Sequence, residues 1–186
     1  MITTALYIAL GLAALFLAVV AYASRRPDTF ETARSTRIEA APDQIFPLIN
    51  DLRLLSTWSP FEKKDPNIKR AYSGPESGKG QKLDWDGNSE VGQGTLTIVS
   101  SSPSSEVNME LRMVRPMAAN NGVQFTLVPE GKQTKVTWTM HGNVPLFAKV
   151  LHLFVDMDRM CGGEFEKGLA SLKSLVEGAS VPAVQG

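Results

Sequence analysis

Three tryptophans, a group of methionines and a run of carboxylates are the side chains here with types suited to binding or chemistry. Trp58, Trp85 and Trp138 can stack on a planar or polyene molecule, because an indole offers a large apolar face and one polar edge. The same rings can simply fill core volume, and Trp138 reads that way first. Met109, Met113, Met117, Met140, Met157 and Met160 are flexible thioethers that suit an adaptable cavity, although ordinary packing accounts for them equally well. Asp156, Asp158, Arg159, Glu164 and Glu166 lie close together near the C-terminus. A carboxylate among them that faced an apolar cavity would have its pKa raised by desolvation toward general acid–base use. On a solvated face they would form weak local ion pairs, which is the simpler reading.

Other chemistries lack their residues. His141 and His152 have no cysteine or second histidine at ligand spacing, so neither a metal nor a cofactor is expected. Cys161 has no histidine partner, and there is no G-x-S-x-G elbow and no glycine-rich phosphate loop. One cysteine also excludes an internal disulfide. With 19 basic and 19 acidic residues in 186, the net charge is zero and no basic face is available for a nucleic-acid partner.

The elements that must position these residues follow from the hydrophobic period. The first 24 residues carry no charge and are long enough to cross a bilayer as a helix, with Tyr7 and Tyr22 near its ends. Ala21-Tyr22-Ala23 also fits a signal-peptidase site. The absence of a basic residue before the apolar run, and the length of that run, favour an uncleaved anchor. Arg25 and Arg26 would keep the following domain on the cytoplasmic side. After a linker at 25–29, Thr32 to Ala40 reads as a strand, Asp43 to Leu52 as a helix, and Leu54 to Trp58 as a second short helix or turn. From there to residue 142 the pattern alternates. Leu83 and Trp85 share a phase, as do Leu96 and Ile98. Val107, Met109, Leu111 and Met113 form another set, followed by Val123, Phe125 and Leu127, then Val136, Trp138 and Met140. Turn residues such as Asp86-Gly87-Asn88 and Asn120-Asn121-Gly122 separate these runs, so the strands are antiparallel. A long helix from Pro145 to about Val176 ends the domain, with Phe165, Leu169, Leu172 and Val176 on its apolar stripe. Gly162-Gly163 inside it calls for a reason such as close approach of a strand.

Ile38-Glu39-Ala40-Ala41-Pro42-Asp43-Gln44-Ile45-Phe46, Trp58-Ser59-Pro60-Phe61-Glu62, Tyr72-Ser73-Gly74-Pro75, Trp85-Asp86-Gly87, Gly92-Gln93-Gly94 and Phe165-Glu166-Lys167-Gly168-Leu169 stand in that order. As an ensemble they resemble the polyketide cyclase/dehydrase branch (SRPBCC) of the START-like superfamily over residues 30–177. The resemblance implies an α+β helix-grip fold, an antiparallel curved sheet wrapped around a long C-terminal helix, here preceded by one transmembrane helix. It also implies a mostly apolar cavity between sheet and helix, with Trp58 and Phe61 at its mouth. The expected lining is Trp58, Phe61, Trp85, Met109, Met113, Phe125, Trp138, Met157 and Phe165. The expected organisation is an anchor (1–24), a linker (25–29), one domain (30–178) and a tail (179–186). The expected role is membrane-tethered binding of a hydrophobic small molecule, lipid-like or polyketide-like, as carrier or sensor. Cyclase- or dehydratase-like catalysis and a cochaperone-like interaction module are the alternatives.

Overall fold

The computed structural model describes residues 2–151, 153 and 157–179. They fall into two compact units, one drawn from 1–30 and 143–157, the other from 31–142 and 158–186. The first contains the apolar helix α1 (Ile2–Ser24) and the short helix α4 (Leu146–Leu151). Within α1, Leu6–Ser24 is long and apolar enough to cross a membrane.

The second unit is built on seven strands: β1 (Thr29–Ile38), β2 (Lys69–Ser73), β3 (Lys82–Asp86), β4 (Gln93–Ser102), β5 (Glu106–Arg115), β6 (Ala119–Glu130) and β7 (Gln133–Asn143). They form one open antiparallel sheet in the order β1-β7-β6-β5-β4-β3-β2. The helices α2 (Pro42–Asn50), α3 (Leu52–Trp58) and α5 (Met157–Ala179) complete the helix-grip fold that the family resemblance implies. Ile98, Met109, Val123 and Met140 lie side by side across β4 to β7 and are buried. Phe165, Leu169, Leu172 and Val176 of α5 are buried at steps of four, three and four. Each such side chain contributes roughly 1.5–3 kcal/mol when fully removed from water.

Two boundaries differ from the sequence reading. The helix expected over Asp43–Leu52 breaks at Asp51, whose carboxylate accepts the Arg53 N–H and caps a new helix. Gln81, fully buried, secures that break: its Nε2 donates to Asp51 Oδ1 at 2.8 Å and its Oε1 accepts the Leu52 N–H at 2.7 Å. The single helix expected from Pro145 is instead two, α4 and α5. The stretch from Leu146 to Val155 is almost wholly apolar, so a helical period there carries no information about continuity. His152, Phe154 and Asp156 lie outside the described residues.

α5 is fastened to the end of β1 and the residues after it. Lys173 donates to the Arg37 carbonyl at 2.6 Å, and the Glu39 N–H donates to Glu177 at 2.9 Å. The glycines of α5 have separable causes. A Cβ at Gly168 would lie 2.8 Å from Cζ3 of Trp138 and 3.0 Å from Cδ of Pro60, so the residue is small because a ring and a loop reach the helix there. Gly162 meets the Arg34 guanidinium in the same way, whereas Gly163 meets nothing within 4 Å. Chemical unfolding of the full chain in detergent should therefore rank the alanine variants oppositely. Gly163→Ala should gain up to about 1 kcal/mol from helix propensity. Gly168→Ala should lose about 1–3 kcal/mol through overpacking. A Gly168→Ala protein as stable as the parent would contradict this packing.

Candidate functional site

The inner face of the sheet has two distinct ends. At one, Trp58, Phe125, Trp138 and Phe165 are buried against one another. Trp138 stacks on Phe165 with centroids 4.4 Å apart and tilts against Phe125 at 4.9 Å. Trp58 meets Phe125 and Trp138 edge-on at 5.9 and 5.8 Å. Trp58 is thus the last residue of α3, inside the core, and not at a rim. Its Nε1 donates to the Leu48 carbonyl at 2.9 Å, which fixes the indole from behind. The Nε1 donor of Trp138 is buried with no hydrogen-bond partner among the described residues.

Toward the other end the same face opens. Leu83, Leu96 and Leu111 stand in one cross-strand row, and Trp85, Gly94 and Met113 in the next. Leu96, Leu111, Trp85 and Met113 are only half-buried, while Met109, one row back, is almost fully enclosed. Gly94 lets the Trp85 ring lie against the backbone of β4, since a Cβ there would fall 2.6 Å from that ring. The Trp85 Nε1 donates to the Val91 carbonyl at 3.1 Å, so the ring is held in place. Phe61, 39% exposed, lies on the loop after α3 with Lys64 Nζ 5.6 Å from its ring centroid. That loop is pinned by the buried Asp65 carboxylate, which accepts the N–H groups of Asn67 and Asn88 at 2.9 and 2.7 Å.

Of the nine expected lining residues, four make the aromatic cluster, Trp85 and Met113 line the open end, Met109 lies between, and Phe61 sits on the loop. The side chain of Met157 lies outside the described set. A separate surface cleft beside the β6–β7 turn is lined by Glu39, Glu130, Lys132 and Gln133 and is too polar to suit an apolar molecule.

The charges between β1 and α5 were not legible as a site. Arg34 lies on the inward phase of β1 with Thr32 and Ile38, and donates to Asp158 Oδ2 and Glu166 Oε1, both at 2.9 Å. The hydrogen bond from Arg34 holds the Asp158 carboxyl below its ordinary range. Burial pushes Glu164 upward, but the hydrogen bonds and charges of Lys167 and Lys64 outweigh it and keep that carboxyl below its ordinary value too. Burial, reinforced by Asp158 and Glu164, pushes the Cys161 thiol up, so it stays protonated. This cluster binds α5 to the sheet and to the Lys64 loop. The expected solvated face is therefore correct for Glu166 but not for Glu164, whose side chain is mostly enclosed.

Carboxyls depressed on folding stabilise the protein above their unfolded values, 3.8 for Asp158 and 4.5 for Glu164 and Glu177. That contribution disappears as pH falls through the still lower folded values. Melting of the full chain in detergent should fall as pH drops below about 4.5, and less steeply in Asp158→Asn than in the parent. Superimposable pH profiles for the two proteins would show that the Arg34 cluster does not hold α5.

A family model described as polyketide cyclase/dehydrase and lipid transport matches residues 29–177. Among curated proteins, none matches. A norcoclaurine synthase point mutant from Thalictrum flavum, in complex with a transition-state analogue, is similar in fold. Its TM-score is 0.63 at 13% identity, covering 82% of this chain and 97% of that one. The di-domain ARO/CYC StfQ from the steffimycin biosynthetic pathway gives 0.61 at 12% identity, covering 86% of this chain and 54% of that one. The Aha1 dimer from Colwellia psychrerythraea gives 0.57 at 20% identity, covering 82% and 99%. At these identities the likeness is one of fold alone.

Proposed function

Because the chain belongs to the polyketide cyclase/dehydrase and lipid transport family, we propose that it binds a hydrophobic small molecule, lipid-like or polyketide-like, while tethered to a membrane by α1. The observation that carries this reading is the half-buried apolar end of the sheet, where the Trp85 ring lies over Gly94 beside Leu96, Leu111 and Met113. Exposed apolar surface next to a closed core is unfavourable in water, and an apolar ligand would relieve it. The aromatic cluster then acts as a rigid floor. A carrier or sensor role fits better than acid–base catalysis, since Asp158 and Glu164 are held as carboxylates and the Cys161 thiol is held protonated. A tether suits such a ligand, which is most concentrated at a bilayer.

Energy transfer from tryptophan to cis-parinaric acid, measured on the full chain in nanodiscs, tests the proposal. Transfer should saturate, and Met113→Glu should weaken binding at least about tenfold, the equivalent of ~1.4 kcal/mol. Because Met113 already reaches solvent, the variant should fold. Linear, non-saturating transfer that is identical in parent and variant would mean partition into lipid only.

A further inference from the structure

We infer that α4 lies in the membrane interface beside the end of α1, so that the unit holding the anchor grips the bilayer at two points. This rests on the tether proposed above and extends it. α4 reads Leu-Phe-Ala-Lys-Val-Leu, and its Leu146, Phe147 and Leu151 are 47, 56 and 47% exposed. Three large apolar side chains on two helical turns form a patch that water alone does not favour. Its position says what covers it. α4 packs against α1, and among the described side chains of α1 only Val19, Val20 and Ala23 are not exposed. Those residues stand within the last turn and a half of the anchor, about 2–8 Å from its end at 1.5 Å per residue. The same depth, about 5–10 Å, is where interfacial helices place their apolar faces.

The linker after the anchor carries the headgroup-level chemistry. Arg26 lies over the Tyr22 ring, 5.4 Å from its centroid, and donates to its hydroxyl at 3.2 Å. The one charge of α4 is turned away from the patch: Lys149 is 5% exposed, donates to the Arg26 carbonyl at 2.7 Å and pairs with Asp28. The Val144 N–H donates to the Asp28 carbonyl at 2.7 Å, so linker and helix are joined by backbone as well. A paired ammonium facing the linker leaves the outward surface of α4 apolar, as insertion among acyl chains requires.

The test uses single cysteines on a Cys161→Ala full chain in phosphatidylcholine–phosphatidylglycerol vesicles, each carrying an environment-sensitive fluorophore and challenged with spin-labelled lipids. Leu15→Cys reports the anchor, and Phe147→Cys and Leu151→Cys report α4. The two α4 probes should lose at least about half their emission to shallow-labelled lipid, as an interfacial depth requires. The Leu15 probe should respond most to deep-labelled lipid. Quenching at Leu15 with none at Phe147 or Leu151 would overturn the inference and leave the tether standing. No quenching at Leu15 would overturn both.

Discussion

The stack of Trp138 on Phe165, 4.4 Å between centroids, is the contact on which the rest of the second unit depends. It sets how closely α5 approaches the sheet, and it exists because Gly168 has no side chain to keep the indole and Pro60 away. Trp58 and Phe125 close around it, so one end of the inner face is solid aromatic surface. Leu169, Leu172 and Val176 then extend the buried face of α5 from that stack to where Lys173 and Glu177 tie the helix down.

A helix fixed so firmly at one end leaves the opposite end of the sheet to be lined by what the strands themselves supply. There the cross-strand rows hold leucines, a methionine, a tryptophan and a glycine, with no ionised side chain on the inward phase of β4 or β5. The inward cation of β1, Arg34, is neutralised by two carboxylates of α5. Electrostatics thus serves attachment, and the open end of the sheet remains apolar. That division of labour suits retention of a greasy molecule better than proton transfer.

Most of the individual strands and helices could be read from period alone, and the helix-grip arrangement from the family resemblance. Val107, Met109, Leu111 and Met113 announced β5 without ambiguity because polar residues alternate with them, and the inward set is as expected. The pattern could not say which of those residues are sealed, since enclosure depends on where α5 crosses. Met109 and Met113 look identical in sequence and differ in exposure. Trp58 was assigned to a mouth by resemblance, yet the Asp51 cap and the Gln81 staple turn its segment into a helix that faces inward. Arg34 carries no local signal, because its partners are about 130 positions away, beyond the reach of any local pattern. Of the Gly162-Gly163 pair, for which the sequence calls for a close approach or a bend, only Gly162 meets a neighbour, and Gly163 meets nothing within 4 Å. The approaching group is a side chain from β1.

The sheet opens at Leu96, Leu111 and Met113, whereas Leu127 and Val136 are sealed. Intermolecular NOEs between methyl-labelled protein in nanodiscs and a protonated long-chain fatty acid, with deuterated disc lipids, test it most directly. Contacts should appear to the methyl groups of Leu96, Leu111 and Met113 and none to Leu127 or Val136. Contacts confined to outward-facing methyls such as Val99 and Val128, or none at all, would contradict it.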